Sequence, residues 1–375
     1  MSKKGPLDYQ LNTTLGSNKI NVLNSFIDPL LVISICTVLV FGLFILYSAS
    51  GQSKTMVFLQ AIYIGFGLIF MFIISRLEER IYKSFLVHLF WLGLVLLLWV
   101  LFFPAEGYET NRWIDLGFIS FQPSELLRLF LPLAVASFLT RKKTGPFLKD
   151  WFIAILAISI CSFLILKQPD LGTSLIVFSS GLIPVLLAGF PLSILLIFLV
   201  FIAALSPLIW GSLKLYQQER ILTYLNPESD PLGTGFQIAQ SKIAIGSGGV
   251  TGKGYLLGTQ SHLEFLPLSH SDFILAVLGE EFGFLGIGFI FLFYGLILFK
   301  VFSIGFGART EFARLTVSSI GFIFLIYILV NVSMVVGIMP VVGVPLPLIS
   351  QGGTSILIHL IAFGFVLSMK KRQTW

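Results

Sequence analysis

The sequence has little charge. Only 11% of its 375 residues are Asp, Glu, Lys or Arg, whereas about a quarter of the residues of a soluble globular domain are charged. Hydrophobic residues make up 56% of the chain, and the mean hydropathy is +0.95. Because so few charged residues cannot cover a water-exposed surface, most of the chain is expected to lie in lipid.

Cysteine and histidine are also scarce, with two and four residues. Cys36 and Cys161 both lie inside apolar runs, where a small buried hydrophobic side chain is the favoured interpretation. This excludes a disulfide framework. The spacing of His, Cys and carboxylate residues does not match a zinc site.

A glycine-rich segment, GSGGVTGKG at 246–254, looks at first like a phosphate-binding loop. Its spacing is wrong, because Ser247 stands where a Walker A motif needs Gly, and Gly254 stands where it needs Ser or Thr. A tight turn is the favoured interpretation. The alternative is that its N–H groups and Lys253 approach an anionic group such as a lipid diphosphate.

Long apolar runs predict an all-α polytopic membrane protein with about ten transmembrane helices. A bilayer core about 30 Å thick needs about 20 apolar residues in one helix. Such runs occupy 30–48, 56–75, 85–103, 124–140, 150–166, 173–190, 192–210, 273–299, 312–338 and 352–369. The predicted organisation is a cytoplasmic tail at 1–29, a membrane domain at 30–369 and a cytoplasmic tail at 370–375.

The distribution of basic residues predicts the orientation of these helices. Sixteen of the 24 Lys and Arg residues fall in segments that are cytoplasmic when the N-terminus is inside. Both termini are therefore predicted to be cytoplasmic, with one large extracytoplasmic loop at 211–272. The net charge of +6 follows from this topology and indicates no nucleic-acid partner.

A Pro/Gly-rich stretch at 339–353 cannot form a regular helix, because each proline lacks a backbone donor. Irregular backbone at membrane depth is tolerated only where protein or a water-filled cavity surrounds it. The sequence therefore predicts a polar cavity that opens to the outside.

Several acidic residues are candidates for chemistry. Asp272 precedes an apolar run, where a helix cap is favoured about two to one over a general base. Glu280 and Glu281 lie deeper in that run, where carboxylates usually face a partner or a wet cavity. Glu125 and Arg128 have the spacing of a helical ion pair, with a structural role and a substrate role equally favoured.

Four segments together resemble the SEDS family, the shape, elongation, division and sporulation proteins. They are NRWIDLGFISFQPSE at 111–125, QPDLGTS at 168–174, the long stretch at 216–283, and MPVVGVPLPLISQGGTS at 339–355. The resemblance covers nearly the whole chain from about residue 30. NPESDPLGTG, QSKIAIGSGG and GTQS are more similar to the elongation branch, RodA, than to the division branch, FtsW.

The resemblance implies a peptidoglycan glycosyltransferase that polymerises lipid II by a single inverting displacement. It assigns the general base to Asp272, in place of a simple cap, and functional roles to Trp113 and to Glu125 with Arg128. An inverting displacement also needs cations for the leaving diphosphate. The candidate cations are Arg112, Arg220, Lys242 and Lys253, and a divalent ion, Mg²⁺ or Mn²⁺, is left open as a cofactor.

Four positions depart from the family pattern, of which the mildest is Ser271 in HSDF, where the family usually has Thr. In the other three, Arg128 stands where the family usually has Lys, Leu215 where a Pro is common, and Gln351 where a Tyr is usual. At position 128 the positive charge is kept, but a guanidinium is not equivalent to an ammonium.

The resemblance also implies partners and a location. The expected partners are a class B penicillin-binding protein and other elongation-machinery proteins, and the expected location is the bacterial inner membrane with the active site on its outer face. Two other functions are kept open, a non-enzymatic scaffold and a lipid II flippase.

Overall fold

The computed structural model describes residues 28–103, 112–115, 120–142, 144–212, 218–219, 222–223, 233–262, 266 and 268–370. The helices in this part of the chain are α1 (Pro29–Ala49), α2 (Lys54–Arg76), α3 (Glu79–Phe102), α4 (Pro123–Leu139), α5 (Leu148–Lys167), α6 (Leu171–Leu187), α7 (Leu192–Ala204), α8 (Ser206–Ser212), α9 (Thr234–Gly248), α10 (Thr259–His262), α11 (Ile274–Phe306), α12 (Glu311–Val335) and α13 (Gly353–Ser368). Two short strands, β1 (Ile114–Asp115) and β2 (Ser120–Phe121), pair antiparallel.

The fold is that of an all-helical membrane protein. Six helices, α1, α2, α3, α5, α11 and α12, are long and apolar enough to cross a bilayer, and α6 and α13 are shorter apolar helices. Large apolar side chains such as Phe58, Phe102 and Phe284 are exposed on the outside of the bundle. The predicted class, a helical polytopic membrane protein, is therefore confirmed.

The most polar of the predicted spans, 124–140, forms the most enclosed part of the bundle. It corresponds to α4, in which all but three of 17 residues are buried. Arg128 on this helix is only 5% exposed. The polar residues of this run therefore face other helices and not lipid.

The predicted span at 192–210 is not one helix. It is divided at Leu205 into α7 and α8. Pro207 lies at the second position of α8, and because a proline supplies no N–H it cannot donate the helical hydrogen bond to the carbonyl of Ala203 that would continue α7. A proline just inside a helix start is well tolerated, so the chain begins a new helix here.

Helix α11 is interrupted at Gly283, whose φ of 63° and ψ of −159° are not helical. The glycine-rich segment 246–254, which includes the last turn of α9 and the residues after it, forms main-chain hydrogen bonds with the interrupted part of α11. The N–H groups of Lys253 and Gly254 donate to the carbonyls of Glu280 and Glu281 at 2.9 and 3.0 Å. In return, the N–H groups of Phe284 and Leu285 donate to main-chain carbonyls of the segment, both at 3.0 Å.

Two glycines of this segment permit the close approach. A Cβ atom on Gly248 would lie 1.9 Å from the carbonyl oxygen of Gly279. A Cβ atom on Gly252, whose φ is +80°, would lie 2.1 Å from the carbonyl oxygen of Glu281. The predicted tight turn is therefore confirmed, and it packs main chain to main chain against a broken helix.

The irregular stretch predicted at 339–353 is also confirmed. The chain has no helix between Val335 and Gly353, yet Leu346, Leu348 and Ile349 are at most 2% exposed. Side chains of neighbouring helices bind its backbone. The Tyr294 hydroxyl donates to the carbonyl of Pro347 at 2.6 Å, and the Gln60 amide donates to the carbonyl of Ser350 at 2.9 Å.

At the opposite end of the bundle, one buried carboxylate joins three helices. Asp28 caps α1 by accepting a hydrogen bond from the N–H of Leu31 at 3.2 Å. Its other oxygen lies 3.6 Å from the amine of Lys300, on α11, and 3.5 Å from that of Lys370, just after α13. The start of the first helix is thereby held to the ends of α11 and α13.

Candidate active site

Asp272 lies in a turn immediately before α11, where the starts of α4, α6, α11 and α13 meet the end of α12. The N-cap of α11 is Phe273, and no side chain provides a capping hydrogen bond to this helix end. Asp272 therefore lies one residue too early to be the helix cap that its position before the apolar run favours.

The turn that carries Asp272 is bound to the irregular stretch after α12. The side-chain amide of Asn331 donates to the carbonyl of Asp272 at 2.9 Å and to that of Val344 at 2.7 Å. The Ser350 hydroxyl donates to the carbonyl of Ser271, and the N–H of Gln351 donates to that of His270 at 2.9 Å. Burial lowers the pKa of His270, so its imidazole adds no positive charge to this turn at pH 7.

A small polar pocket of about 50 Å³ lies beside this turn. It is lined by Gln122, Glu125, Arg128, Thr173, Ile176, Tyr327, Gly343, Val344 and Pro345. Gly343 joins the pocket to the turn, because a Cβ atom added to it would lie 3.5 Å from Oδ2 of Asp272. Among the described residues this narrow polar pocket lies next to the irregular stretch, with the Asp272 carboxylate at its edge, and the predicted opening to the outside stays a prediction.

The structure brings Glu125 and Arg128 to the same pocket but not into the predicted ion pair. Nη1 of Arg128 donates to the Tyr327 hydroxyl at 2.5 Å, and Nη2 donates to the Ser355 hydroxyl at 3.3 Å. The guanidinium also lies 4.4 Å from the centre of the Tyr327 ring. Stacking and a fork of donors suit Arg in this place, and its hydrogen bonds go to side chains of α12 and α13.

Glu125 has an oxygen that the fold does not use. Oε2 of this residue is buried and has no hydrogen-bond partner in the described ranges. Buried carboxylate oxygens are costly without a partner. A polar group that enters the pocket, from water or from substrate, would satisfy this oxygen.

Arg112 and Trp113 lie just before β1 at the same end of the bundle. The Arg112 side chain donates to the carbonyls of Gln168 and Pro169, and its Nη1 lies 3.4 Å from Oδ2 of Asp170. Asp170 in turn caps α6 by accepting from the N–H of Thr173 at 3.0 Å. Arg112 therefore fixes the connection between α5 and α6 to the segment just before β1, and Trp113 is half-buried beside it.

Lys253 is placed against a carboxylate and not against the pocket. Its amine lies 2.7 Å from Oε1 of Glu280, which is completely buried. The same oxygen accepts from the Thr259 N–H and hydroxyl at 2.7 and 2.8 Å. The positive charge of Lys253 is therefore balanced within the fold. Glu281 accepts a hydrogen bond from the Ser48 hydroxyl on α1.

The remaining predicted cations and the metal ion are not assembled in the described part of the chain. Lys242 is exposed on α9, and its side chain approaches the backbone at Gly337. Arg220 lies outside the described residues. Among those residues, groups of three or more His, Cys, Asp or Glu side chains able to hold a metal ion are absent. The described side chains thus do not by themselves form a metal site.

The residues that position Asp272 were not identified from the sequence. They are Asn331, Ser350 and Gln60, each at most 3% exposed. Asn331 and Gln60 carry a weak signal, because each is a single polar side chain inside an apolar run, and such residues are rarely tolerated in lipid. Ser350 carries no such signal, since serines are frequent in this chain.

The chain is similar over most of its length to known proteins. A family model described as cell cycle protein, FTSW_RODA_SPOVE, matches residues 28–374. The peptidoglycan glycosyltransferase MrdB of Escherichia coli (strain K12) is 42% identical over 344 residues, which cover 92% of this chain and 93% of MrdB.

Two solved structures are similar over most of their length. A chain from a study of the structural coordination of polymerization and crosslinking by a peptidoglycan synthase complex has a TM-score of 0.79 and 34% identity, covering 91% of this chain and 96% of that one. The Rod shape determining protein RodA of Thermus thermophilus has a TM-score of 0.69 and 27% identity, covering 92% and 98%. The chain therefore belongs to the FtsW, RodA and SpoVE family of cell cycle proteins, the SEDS family that its motifs resemble.

Proposed function

We propose that the protein is a peptidoglycan glycosyltransferase that polymerises lipid II into glycan strands for cell elongation, with Asp272 as the general base. The similarity to MrdB over nearly the whole chain supports the reaction class. One geometric observation carries the assignment of the base. The Asp272 carboxylate lies at the edge of the polar pocket that contains Glu125 and Arg128.

The proposed reaction is one direct displacement at the anomeric carbon. Asp272 accepts the proton of the attacking sugar hydroxyl while that oxygen forms a bond to the anomeric carbon. The bond from this carbon to the diphosphate breaks, and the departing lipid diphosphate takes the electron pair. An α-linked donor then gives a β-linked product, so neither a nucleophile from the enzyme nor a covalent enzyme intermediate is needed.

Cations must stabilise the charge that gathers on the leaving diphosphate. We assign this role first to Arg128, whose guanidinium lines the pocket, and to the exposed Lys242. Arg112 is only partly available to stabilise the diphosphate, because its guanidinium already pairs with Asp170. Arg220 keeps the proposed role of stabilising the diphosphate. Trp113 is proposed to contact the substrate. Mg²⁺ or Mn²⁺ stays a proposed cofactor, and no step is assigned to it.

The proposed topology has ten spans, cytoplasmic termini and the Asp272 turn on the outer face of the inner membrane. In this arrangement residues 30–369 form the membrane domain, flanked by the tails 1–29 and 370–375, and 211–272 is the large outer loop. Two observations support it: Asp28, Lys300 and Lys370 meet at one end of the bundle, and Arg112, Asp170 and the pocket lie at the other.

We further propose that the protein works with a class B penicillin-binding protein and other elongation-machinery proteins. A similar chain has been solved in a peptidoglycan synthase complex that couples polymerization to crosslinking. A polymerase in such a complex supplies the strands that its partner crosslinks. A scaffold or a flippase would have the same partners but would not need a base at Asp272.

The test is polymerisation of purified lipid II by the protein in detergent, with glycan strands separated on a gel. We expect Asp272→Asn to lower the rate by about 100-fold or more, the usual contribution of a general base. Glu311→Gln, at an exposed position at the other end of the bundle, is the matched control and should keep wild-type activity. A folded Asp272→Asn protein that polymerises normally would exclude Asp272 as the base, and an inactive wild-type protein would favour the scaffold.

A further inference from the structure

We propose that Asn331 is a positioning residue for this reaction, because it sets the distance between the Asp272 turn and the wall of the polar pocket. This inference rests on the proposed role of Asp272 as the base. It concerns a residue that does not touch the reacting atoms and acts only through the main chain of the base.

The contacts of Asn331 are specific. Its side chain lies near the end of α12, and the residue is 0% exposed. Nδ2 donates one hydrogen bond to the carbonyl of Asp272 at 2.9 Å and the other to the carbonyl of Val344 at 2.7 Å. Because both acceptors are carbonyl oxygens, only the NH₂ group of the amide can face them, and this fixes its orientation.

The two acceptors belong to the two parts of the site. Asp272 is the base, whereas Val344 lines the pocket next to Gly343, at which an added Cβ atom would lie 3.5 Å from Oδ2 of Asp272. A single NH₂ group therefore spans the site and holds both sides to one rigid helix. Ser350 has a different role, since it joins Ser271 to the N–H of Leu346, which does not line the pocket.

Packing alone does not account for an amide at this place. Oδ1 of Asn331 is buried and has no hydrogen-bond partner among the residues that the structure describes. A buried polar atom without a partner opposes folding, so an apolar side chain of similar size would fill the space at lower cost. The amide is explained by its two donors, which no apolar side chain provides.

The experiment compares Asn331→Leu and the smaller change Asn331→Ser with Thr316→Val as a matched control. Thr316 lies on the same helix, is also fully buried, and its hydroxyl has no hydrogen-bond partner in the described ranges. Lipid II polymerisation gives kcat and KM. Hydrogen exchange followed by mass spectrometry reports the mobility of 268–273 and 341–352 in each full-length variant.

We expect both Asn331 variants to lower kcat by about 10- to 100-fold, since small misplacements of a catalytic group have effects of this size. KM should stay within about twofold, because substrate contacts remain. Hydrogen exchange should become faster in 268–273 and 341–352 but not in the rest of α12. Thr316→Val should match the wild type in all three measurements.

Three outcomes would overturn the inference. They are an unchanged kcat in the Asn331 variants, unchanged exchange in the two segments, or faster exchange throughout the bundle, which would indicate a general structural role. Asp272→Asn serves as the reference, because it should lower kcat without changing exchange. Failure of the proposed function would look different, since the wild-type protein itself would then be inactive or Asp272→Asn would be active.

Discussion

At the scale of single residues, Lys253 and Glu280 show how a predicted substrate contact can be used by the fold. The sequence predicted Lys253 as a cation for the diphosphate, and it predicted that Glu280 would face a partner or a wet cavity. In the structure each is the partner of the other, at 2.7 Å. A buried carboxylate needs such a cation and several donors, and Thr259 and Gln260 provide the other donors.

We expect Lys253→Met to lower the free energy of unfolding by about 1–3 kcal/mol, because the buried Glu280 charge loses its cation. Adding Glu280→Gln should recover part of this loss, since the neutral amide needs no counter-charge. Thermal unfolding of the two single variants and the double variant in detergent gives the coupling. A Lys253→Met protein with wild-type stability and a raised KM for lipid II would instead support the role in diphosphate binding.

Arg128 replaces the lysine that is usual in the family, and its surroundings match the replacement. We expect Arg128→Lys and Tyr327→Phe each to lower polymerisation, because an ammonium cannot keep both contacts and Phe lacks the hydroxyl at 2.5 Å. A hydrogen bond to a charged group contributes about 1.5–3 kcal/mol, so a decrease of about 10- to 150-fold is expected. The matched control is Tyr82→Phe, whose hydroxyl contacts Ser368 at the opposite end. Wild-type activity in Tyr327→Phe would contradict this role.

At the scale of elements, hydrophobic runs predicted helices well and interruptions poorly. The runs at 30–48 and 312–338 became α1 and α12 with ends shifted by three residues at most. The breaks at Leu205 and Gly283 were not predicted, because a glycine or proline inside an apolar run is compatible with an intact helix. Whether the helix breaks depends on what fills the gap, and at Gly283 this is a segment about 30 residues earlier in the chain.

Two glycines of α9, two residues apart, test the contact that fills this gap. We expect Gly248→Ala to lower the free energy of unfolding by about 1–3 kcal/mol or to prevent folding, because its Cβ would lie 1.9 Å from the carbonyl oxygen of Gly279. Gly246→Ala should be neutral or stabilising by about 0.5–1 kcal/mol, since this Cβ meets no atom within 4 Å. Equal melting temperatures for the two variants would show that the close approach is absent.

At the scale of the whole molecule, the candidate site is built from segments far apart in the chain. The family motifs indicated Asp272, Glu125 and Arg128 because each lies in a recognisable run of residues. They could not indicate the side chains that hold the Asp272 turn and the irregular stretch, since Asn331 binds Asp272 across 59 positions and Gln60 binds Ser350 across 290. Such contacts depend on how the helices pack, and hydrophobic periodicity contains no information about which helices become neighbours.

The proposed topology can be checked with single cysteines in a protein whose Cys36 and Cys161 are replaced by Ala. Lys54→Cys, at the exposed start of α2, should react with a membrane-impermeant maleimide added to intact spheroplasts. Thr144→Cys, in the exposed connection before α5, should react only after the membrane is opened. The reverse pattern would place the Asp272 turn in the cytoplasm and remove the proposed function.

The interrupted helix α11 also limits how relatives can be recombined. The first part of this helix and the segment after α9 complete each other's main-chain hydrogen bonds, so neither is a separate module. A chimaera that takes the long loop from one family member and α11 from another would have to keep 248–260 and 274–285 from the same parent. Grafts whose junctions separate these two stretches should fail to assemble in the membrane, even though every transmembrane helix in them is intact.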